Sequence, residues 1–247
     1  MTGDRTPIVW RTATVREIVS ETAHAKTIVL NVPGWPGHVA GQHVDVRLTA
    51  EDGYQAERSY SIASAPESPE LSLTVVLFDD GEVSPYLVEE LRAGDQFEVR
   101  GPVGGYFAWR VQDGGPLLLL AGGSGLVPLM AMLRHHEAQN STVPARLLVS
   151  ARDLEDVLYH DELEALTARH GIEVSFTLTR EQPTGWTGFA RRVDTEMLTA
   201  LGPSPAQQPR IFVCGPTAFV EHVADLLVEL GHPPSSIRAE RFGPTGA

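Results

Sequence analysis

Between Pro116 and Leu133 the chain carries no charged residue, a length that approaches a membrane span. Its middle reads Gly122, Gly123, Ser124, Gly125 and then Pro128, which a single spanning helix does not accommodate. A short buried strand, Leu117 to Leu120, a tight glycine turn and a helix from Gly125 to His135 account for the same residues. A strand that is apolar at every position belongs to a parallel sheet covered on both faces, so this segment predicts an α/β domain around it.

The rest of the second half follows that pattern. Strands are expected at Arg146 to Val149, Glu173 to Leu178, Ile211 to Val213 and Ile237 to Ala239, and helices near Asp161 to Arg169, Asp194 to Ala200 and Thr217 to Leu230. The first half reads differently. Val44, Val46 and Leu48 alternate with Asp45, Arg47 and Thr49, and Leu71, Leu73 and Val75 alternate with Ser72 and Thr74, the mark of strands with one wet face. With further β-rich runs at Ala13 to Val19, Thr27 to Val32, Arg58 to Ile62 and Gln96 to Arg100, six short strands fit a small antiparallel Greek-key barrel. One helix is expected there, Ser84 to Arg92, with Ser84 as its cap, Pro85 in its first turn and Gly94 beyond its end. The expected fold is thus an all-β barrel over residues 1–112 followed by an α/β parallel-sheet domain over 113–247.

Composition removes several functional classes. The net charge is −13, with eighteen arginines against the single Lys26, so nucleic acid and anionic lipid surfaces are poor partners, although local arginines suit a small phosphorylated ligand. Cys214 is the only cysteine, which rules out an internal disulfide, a CxxC pair and a cysteine-held iron–sulfur cluster within these residues. The nine histidines show no HExxH spacing, so no metal centre is expected, and the adjacent His135 and His136 are expected to be solvated helix residues. Asp4, Arg5, Arg11 and Arg16 leave no apolar segment at the start, so no secretory leader is expected and the location is read as cytoplasmic.

Glycines in the turn Gly122 to Gly125 let backbone N–H groups approach a pyrophosphate at a helix start, although Pro128 stands where the dinucleotide fingerprint has its third glycine. A packing turn is the competing reading. Where an acid usually binds the adenosine ribose, the second strand ends in Ser150, Ala151 and Arg152, and Arg180 follows the third, with Arg191 and Arg192 beyond it. Arginines there suit a 2′-phosphate and favour NADP over NAD, against the alternative that they solvate loops. In the barrel half, Arg58, Ser59, Tyr60 and Ser61, with Gly81 to Ser84, offer a cation, a flat ring and a capped helix start for a second pyrophosphate. Tyr60 also suits a core or rim aromatic.

The series Arg58-Ser59-Tyr60-Ser61, Gly101-Pro102-Val103-Gly104, Gly122-Gly123-Ser124-Gly125 with Pro128, Cys214-Gly215-Pro216 and Glu240-Arg241-Phe242 resembles the ferredoxin–NADP reductase superfamily in order and spacing, over essentially the whole chain. The resemblance implies that Arg58 binds FAD phosphate, that Tyr60 stacks on or flanks the isoalloxazine, and that Ser61 lies close to flavin N5. It implies that Gly81, Val83 and Ser84 wrap the pyrophosphate and that the glycine turn with Pro128 takes the nicotinamide dinucleotide. Cys214, beside Gly215 and Pro216, matches a thiol next to nicotinamide C4; its alternative is a small buried hydrophobe. Glu240 and Phe242 match an acidic residue that sets local polarity and an aromatic over the flavin, with the tail 243–247 reaching instead toward the adenine end.

The implied activity is an FAD-dependent oxidoreductase: hydride from NADPH or NADH to flavin N5, both rings stacked between the two domains, then electrons to a separate acceptor protein such as a ferredoxin or an oxygenase component. Rival readings are a reductase of free flavin or a small molecule, and a nucleotide-binding regulatory module without turnover. Some members of the superfamily carry a ferredoxin-like domain in the same chain; the cysteine count leaves none within these residues.

Overall fold

The computed structural model describes residues 8–78, 80–167 and 171–242. They fall into two compact units: the residues up to Trp109 together with Met130–His135, and Arg110–Leu129 together with those from His136 onward.

The first unit is built from six antiparallel strands: β1 Trp10–Thr22, β2 Ala25–Asn31, β3 His43–Thr49, β4 Gln55–Ser61, β5 Leu71–Val76 and β6 Gln96–Val103. They pair in the order β4-β3-β6-β1-β2-β5. The two outer strands then meet, because Ala63 N–H donates to Ser72 O at 2.8 Å and Ile62 bridges Leu73, so the sheet curls into the expected barrel. Alternation does the sorting: Val44 and Val46 of β3 and Leu71, Leu73 and Val75 of β5 point into one core with Ile28, Leu30 and Val99. On the opposite faces Arg47 forms a fork to Glu98, at 2.8 Å from each oxygen, and Arg100 holds Asp45. Both guanidinium groups lie over the Trp10 ring, at 4.0 and 4.6 Å from its centroid.

The expected helix from Ser84 to Arg92 is present but shorter and wider: residues 84–85 are α-helical and continue as a π-helical turn, Tyr86–Glu90. Ser84 does not cap it. Its hydroxyl is taken by Phe78, accepting from the backbone N–H at 3.1 Å and donating to the carbonyl at 3.3 Å.

In the second unit, apart from Met130–His135 of α1, which belong to the first, the elements run β7 Leu117–Gly122, α1 Leu126–Ala138, β8 Ala145–Ala151, α2 His160–Thr167, β9 Ile172–Leu178, α3 Thr195–Leu201, β10 Arg210–Pro216, α4 Thr217–Glu229 and β11 Ile237–Phe242. The strands are all parallel in the order β11-β10-β7-β8-β9. Leu117 to Leu120 are essentially inaccessible, and each such leucine contributes about 2 kcal/mol on burial. Leu118, Leu120, Ile211 and Val213 pack with Met197, Val220, Val223 and Leu227 of α3 and α4. Asp194 caps α3, accepting from Met197 N–H at 2.8 Å. The apolar run that approached a membrane span is divided between β7, the glycine turn and α1, and among the described residues no helix is long and apolar enough to cross a membrane.

The two histidines expected to be solvated are both buried, at 8% and 3% accessibility. They do point to different sides of α1: within the first unit His135 Nδ1 lies 2.8 Å from Glu67 Oε1, and within the second His136 Nε2 lies 2.7 Å from Val143 O. His135 is kept inside by a carboxylate 68 residues back and His136 by a carbonyl just beyond the end of its own helix.

Candidate functional site

The strand order of the second unit fixes where a ligand can be received. From β7 the sheet grows through β8 to β9, then the chain returns to add β10 on the other side of β7. The crevice outside the carboxyl ends of β7 and β10 is therefore the topological switch point. The turn Gly122 to Gly125 and the strand end Cys214-Gly215-Pro216 both lie there, since Cys214 pairs with Ala121 on one side and with Glu240 on the other.

Close approach explains three of these glycines. A Cβ on Gly125 would stand 2.1 Å from Cys214 O, and one on Gly122 or Gly215 would stand 2.8 Å from the Phe219 ring at the start of α4. Gly123 is different: it adopts φ +53°, is exposed, and a Cβ there would meet nothing within 4 Å. The packing reading thus accounts for Gly122, Gly125 and Gly215, while Gly123 and the half-buried Ser124 present open backbone beside the first turn of α1. Pro128 sits in that turn, where its missing N–H costs no helical bond. A dinucleotide phosphate fits this arrangement.

Cys214 is 1% exposed, and burial, then the Glu240 carboxylate, push its thiol well above the usual range, only partly offset by a backbone hydrogen bond with Gly215. It is a neutral thiol near neutrality, without the character of a nucleophile. Burial raises the Glu240 carboxyl to about 7. Phe242 pairs with Pro216 at the end of β11 and is half-buried. The expectation for the tail 243–247 lies outside the described residues.

At the next strand ends Ser150 pairs with Gly122 and Thr177. Arg152 and Arg180 are exposed, and Arg180 N–H donates to Arg152 O at 2.8 Å, so two guanidinium groups leave the sheet from neighbouring positions. Arg191 is already engaged by Asp194 and Glu196.

In the first unit Arg58, Tyr60 and Ser61 occupy the last half of β4, not the head of a strand. Alternation puts Tyr54, Ala56, Arg58 and Tyr60 on one face; Ala56 and Tyr60 pack on the barrel core, and burial raises the Tyr60 phenol. Ser61 stands opposite His43, whose imidazole is lowered by burial. Gly81 closes against Ser84 and Phe78, where a Cβ would lie 2.9 Å from Ser84 Oγ and 3.0 Å from Phe78 O. Val83 and Ser84 are buried, so the turn is held from inside, and Arg58 remains at the surface beside it. An exposed guanidinium next to a rigid glycine turn fits a flavin diphosphate. His43, Tyr54 and Phe219 were not singled out by sequence motifs, and Glu82 lies within the Gly81 to Ser84 motif without a role of its own; the alternation running back from Tyr60 points to Tyr54.

Both halves of the chain resemble known proteins. The oxidoreductase FAD-binding domain family matches residues 13–108 and the oxidoreductase NAD-binding domain family residues 119–225. The chain is 34% identical over 234 residues to ferredoxin–NADP reductase B of Sorangium cellulosum, covering 92% of this chain and 91% of that protein. It is 35% identical over 213 residues to the glycine betaine monooxygenase reductase subunit of Chromohalobacter salexigens, covering 84% of this chain but only 56% of that longer protein. Among solved structures, a cytochrome P450 reductase from Amycolatopsis superposes with a TM-score of 0.83 at 27% identity, over 99% of this chain and 74% of that one.

Proposed function

We propose that this chain, which belongs to the ferredoxin–NADP reductase superfamily, is a flavoenzyme that oxidises NADPH, or NADH, on bound FAD and delivers the electrons to a separate acceptor protein, a ferredoxin or an oxygenase component. The observation that carries the reading is the convergence of the open glycine turn, Cys214 and Glu240 at the switch point of the parallel sheet.

When bound, FAD supplies the two-electron to one-electron conversion that such a transfer needs. Every other task belongs to side chains and backbone. Arg58 binds flavin phosphate, beside the turn that Gly81, Val83 and Ser84 keep rigid. Tyr60 lines the flavin ring, and Ser61 offers a hydroxyl to N5. The turn Gly122, Gly123, Ser124, Gly125, with Pro128 in the first turn of α1, binds the nicotinamide dinucleotide. Ser150, Arg152 and Arg180 receive the adenosine end, the arginines favouring a 2′-phosphate and hence NADP. Cys214, with Gly215 and Pro216, sets the approach of the nicotinamide as a neutral thiol. Glu240 sets the polarity beside it, and Phe242 covers the ring face. No strong acid or base is called for in a hydride transfer.

The same reading divides the chain into a flavin domain over 1–112 and a nucleotide domain over 113–247, supported by the family matches on either side of that boundary. A cytoplasmic setting belongs to it as well. The test is to load purified protein with FAD and assay NADPH-driven reduction of a panel of ferredoxins, oxygenase components, free flavins and quinones. Turnover with protein carriers supports the proposal. Turnover with small acceptors alone removes the partner protein, and a chain that takes no flavin removes the whole reading.

A further inference from the structure

Arg58, the residue proposed to bind flavin phosphate, already has an anion. Glu82 Oε2 lies 3.4 Å from Arg58 Nη2, and the other oxygen of Glu82 accepts from the Tyr54 hydroxyl at 2.8 Å. This hydrogen bond, together with the charge of the carboxylate, raises the Tyr54 phenol. Arg58 Nη1 donates to Glu57 O at 2.7 Å, which orients the guanidinium along its strand.

The placement of Glu82 follows from its turn. Gly81 before it is wedged between Ser84 and Phe78, Ser84 is tied to the Phe78 backbone, and Val83 is fully buried in the barrel core. Between the fixed Gly81 and the buried Val83, the Glu82 side chain stands at the surface, 53% exposed against 49% for Arg58. A fixed backbone and a free side chain deliver a carboxylate to the guanidinium, with Tyr54, immediately before β4, holding its far oxygen.

We infer that Glu82 is a built-in competitor for the flavin phosphate at Arg58, so that flavin binds by exchanging one anion for another and its affinity is set by this carboxylate. The inference rests on the flavin-site reading above. A phosphate arriving at Arg58 either displaces Glu82 or shares the guanidinium with a like charge, and both weaken retention. An exposed ion pair contributes little, so the effect is one of tuning: removing the charge at Glu82 tightens FAD about twofold to fivefold.

The experiment measures FAD dissociation constants by the fluorescence of flavin released on dilution of FAD-loaded protein, for the parent, Glu82→Gln, Arg58→Ala and the double variant, at low and at high salt. Glu82→Gln is expected to bind tighter than the parent, Arg58→Ala weaker, and the gain from Glu82→Gln to vanish in the Arg58→Ala background and shrink at about 1 M salt. Unchanged affinity in Glu82→Gln with weakened affinity in Arg58→Ala overturns this inference and leaves the flavin site standing. Equal tightening with and without Arg58 also overturns it, since the effect is then general repulsion. Parent-like affinity in Arg58→Ala overturns the flavin-site reading itself. Both substituted positions are exposed, and equal melting temperatures confirm that folding is unaffected.

Discussion

Cys214 and Glu240 stand directly opposite each other in the parallel pairing of β10 with β11, at the carboxyl edge of the sheet. Burial makes both harder to ionise, and the Glu240 carboxylate raises the thiol further. The pair therefore presents a protonated sulfur beside a carboxyl that changes charge near neutrality, which is a means of setting polarity and not of forming a covalent bond.

This arrangement makes stability depend on pH. The Glu240 carboxyl has a value of about 7 in the fold, above the ordinary 4.5. A raised carboxyl favours the folded state fully below the lower value, and that contribution is lost as pH climbs from about 4.5 to about 7. The loss is about 2 kcal/mol once partial solvent access is allowed for. Urea unfolding across that range should show a falling free energy in the parent that is flatter by this amount in Glu240→Gln; equal slopes remove the effect.

Two glycines of one turn should respond in opposite ways to a single methyl. At Gly125 a Cβ would run into the Cys214 carbonyl at 2.1 Å and the Gly215 nitrogen at 2.7 Å, both backbone. Gly125→Ala should lose at least about 3 kcal/mol. Gly123→Ala meets open space and bears only its left-handed backbone, about 1 kcal/mol. Thermal melting of both variants decides, and comparable losses would contradict the packing described.

Arg152→Ala and Arg180→Ala should each weaken NADPH about tenfold while leaving NADH within about twofold, because a charged hydrogen bond to phosphate is lost and nothing else. Equal effects on both cofactors in a binding titration would withdraw the preference for NADP.

Ser61→Ala should keep its FAD and lose speed. One hydrogen bond near N5 is worth about tenfold in rate. Flavin content by absorbance and the reduction rate by stopped flow separate the two, and an unchanged rate removes Ser61 from the chemistry.

Much of this molecule is legible in its sequence because its signals are local. Leu117 to Leu120 announce a doubly covered strand, and Val44 to Leu48 a one-sided one, whatever lies elsewhere. The glycine turn is legible as a turn, but the approach of Cys214 and Phe219 that leaves no room for side chains at 125 and 122 joins distant parts of the chain and stands in the sequence only as the competing packing reading. What failed depends on side-chain partners that alternation and motifs do not reveal. Ser84 looks like a cap, yet Phe78, six residues back, takes its hydroxyl. His135 and His136 look exposed until Glu67 and the Val143 carbonyl are placed against them. The length of β1 depends on pairing with both β2 and β6, with irregularities after Val15 and Ser20 that no alternation reveals. The pairing of Glu82 with Arg58 spans 24 residues and joins a strand to a turn, so neither motif alone discloses it.

The most direct measurement is anaerobic stopped-flow mixing of FAD-loaded protein with NADPH and with NADPH deuterated at the transferring position of C4. The account predicts rapid bleaching of the flavin absorbance, slowed by deuterium and slowed again in Ser61→Ala. Flavin that stays oxidised, or that bleaches at a rate indifferent to the deuterium and to Ser61, would contradict it.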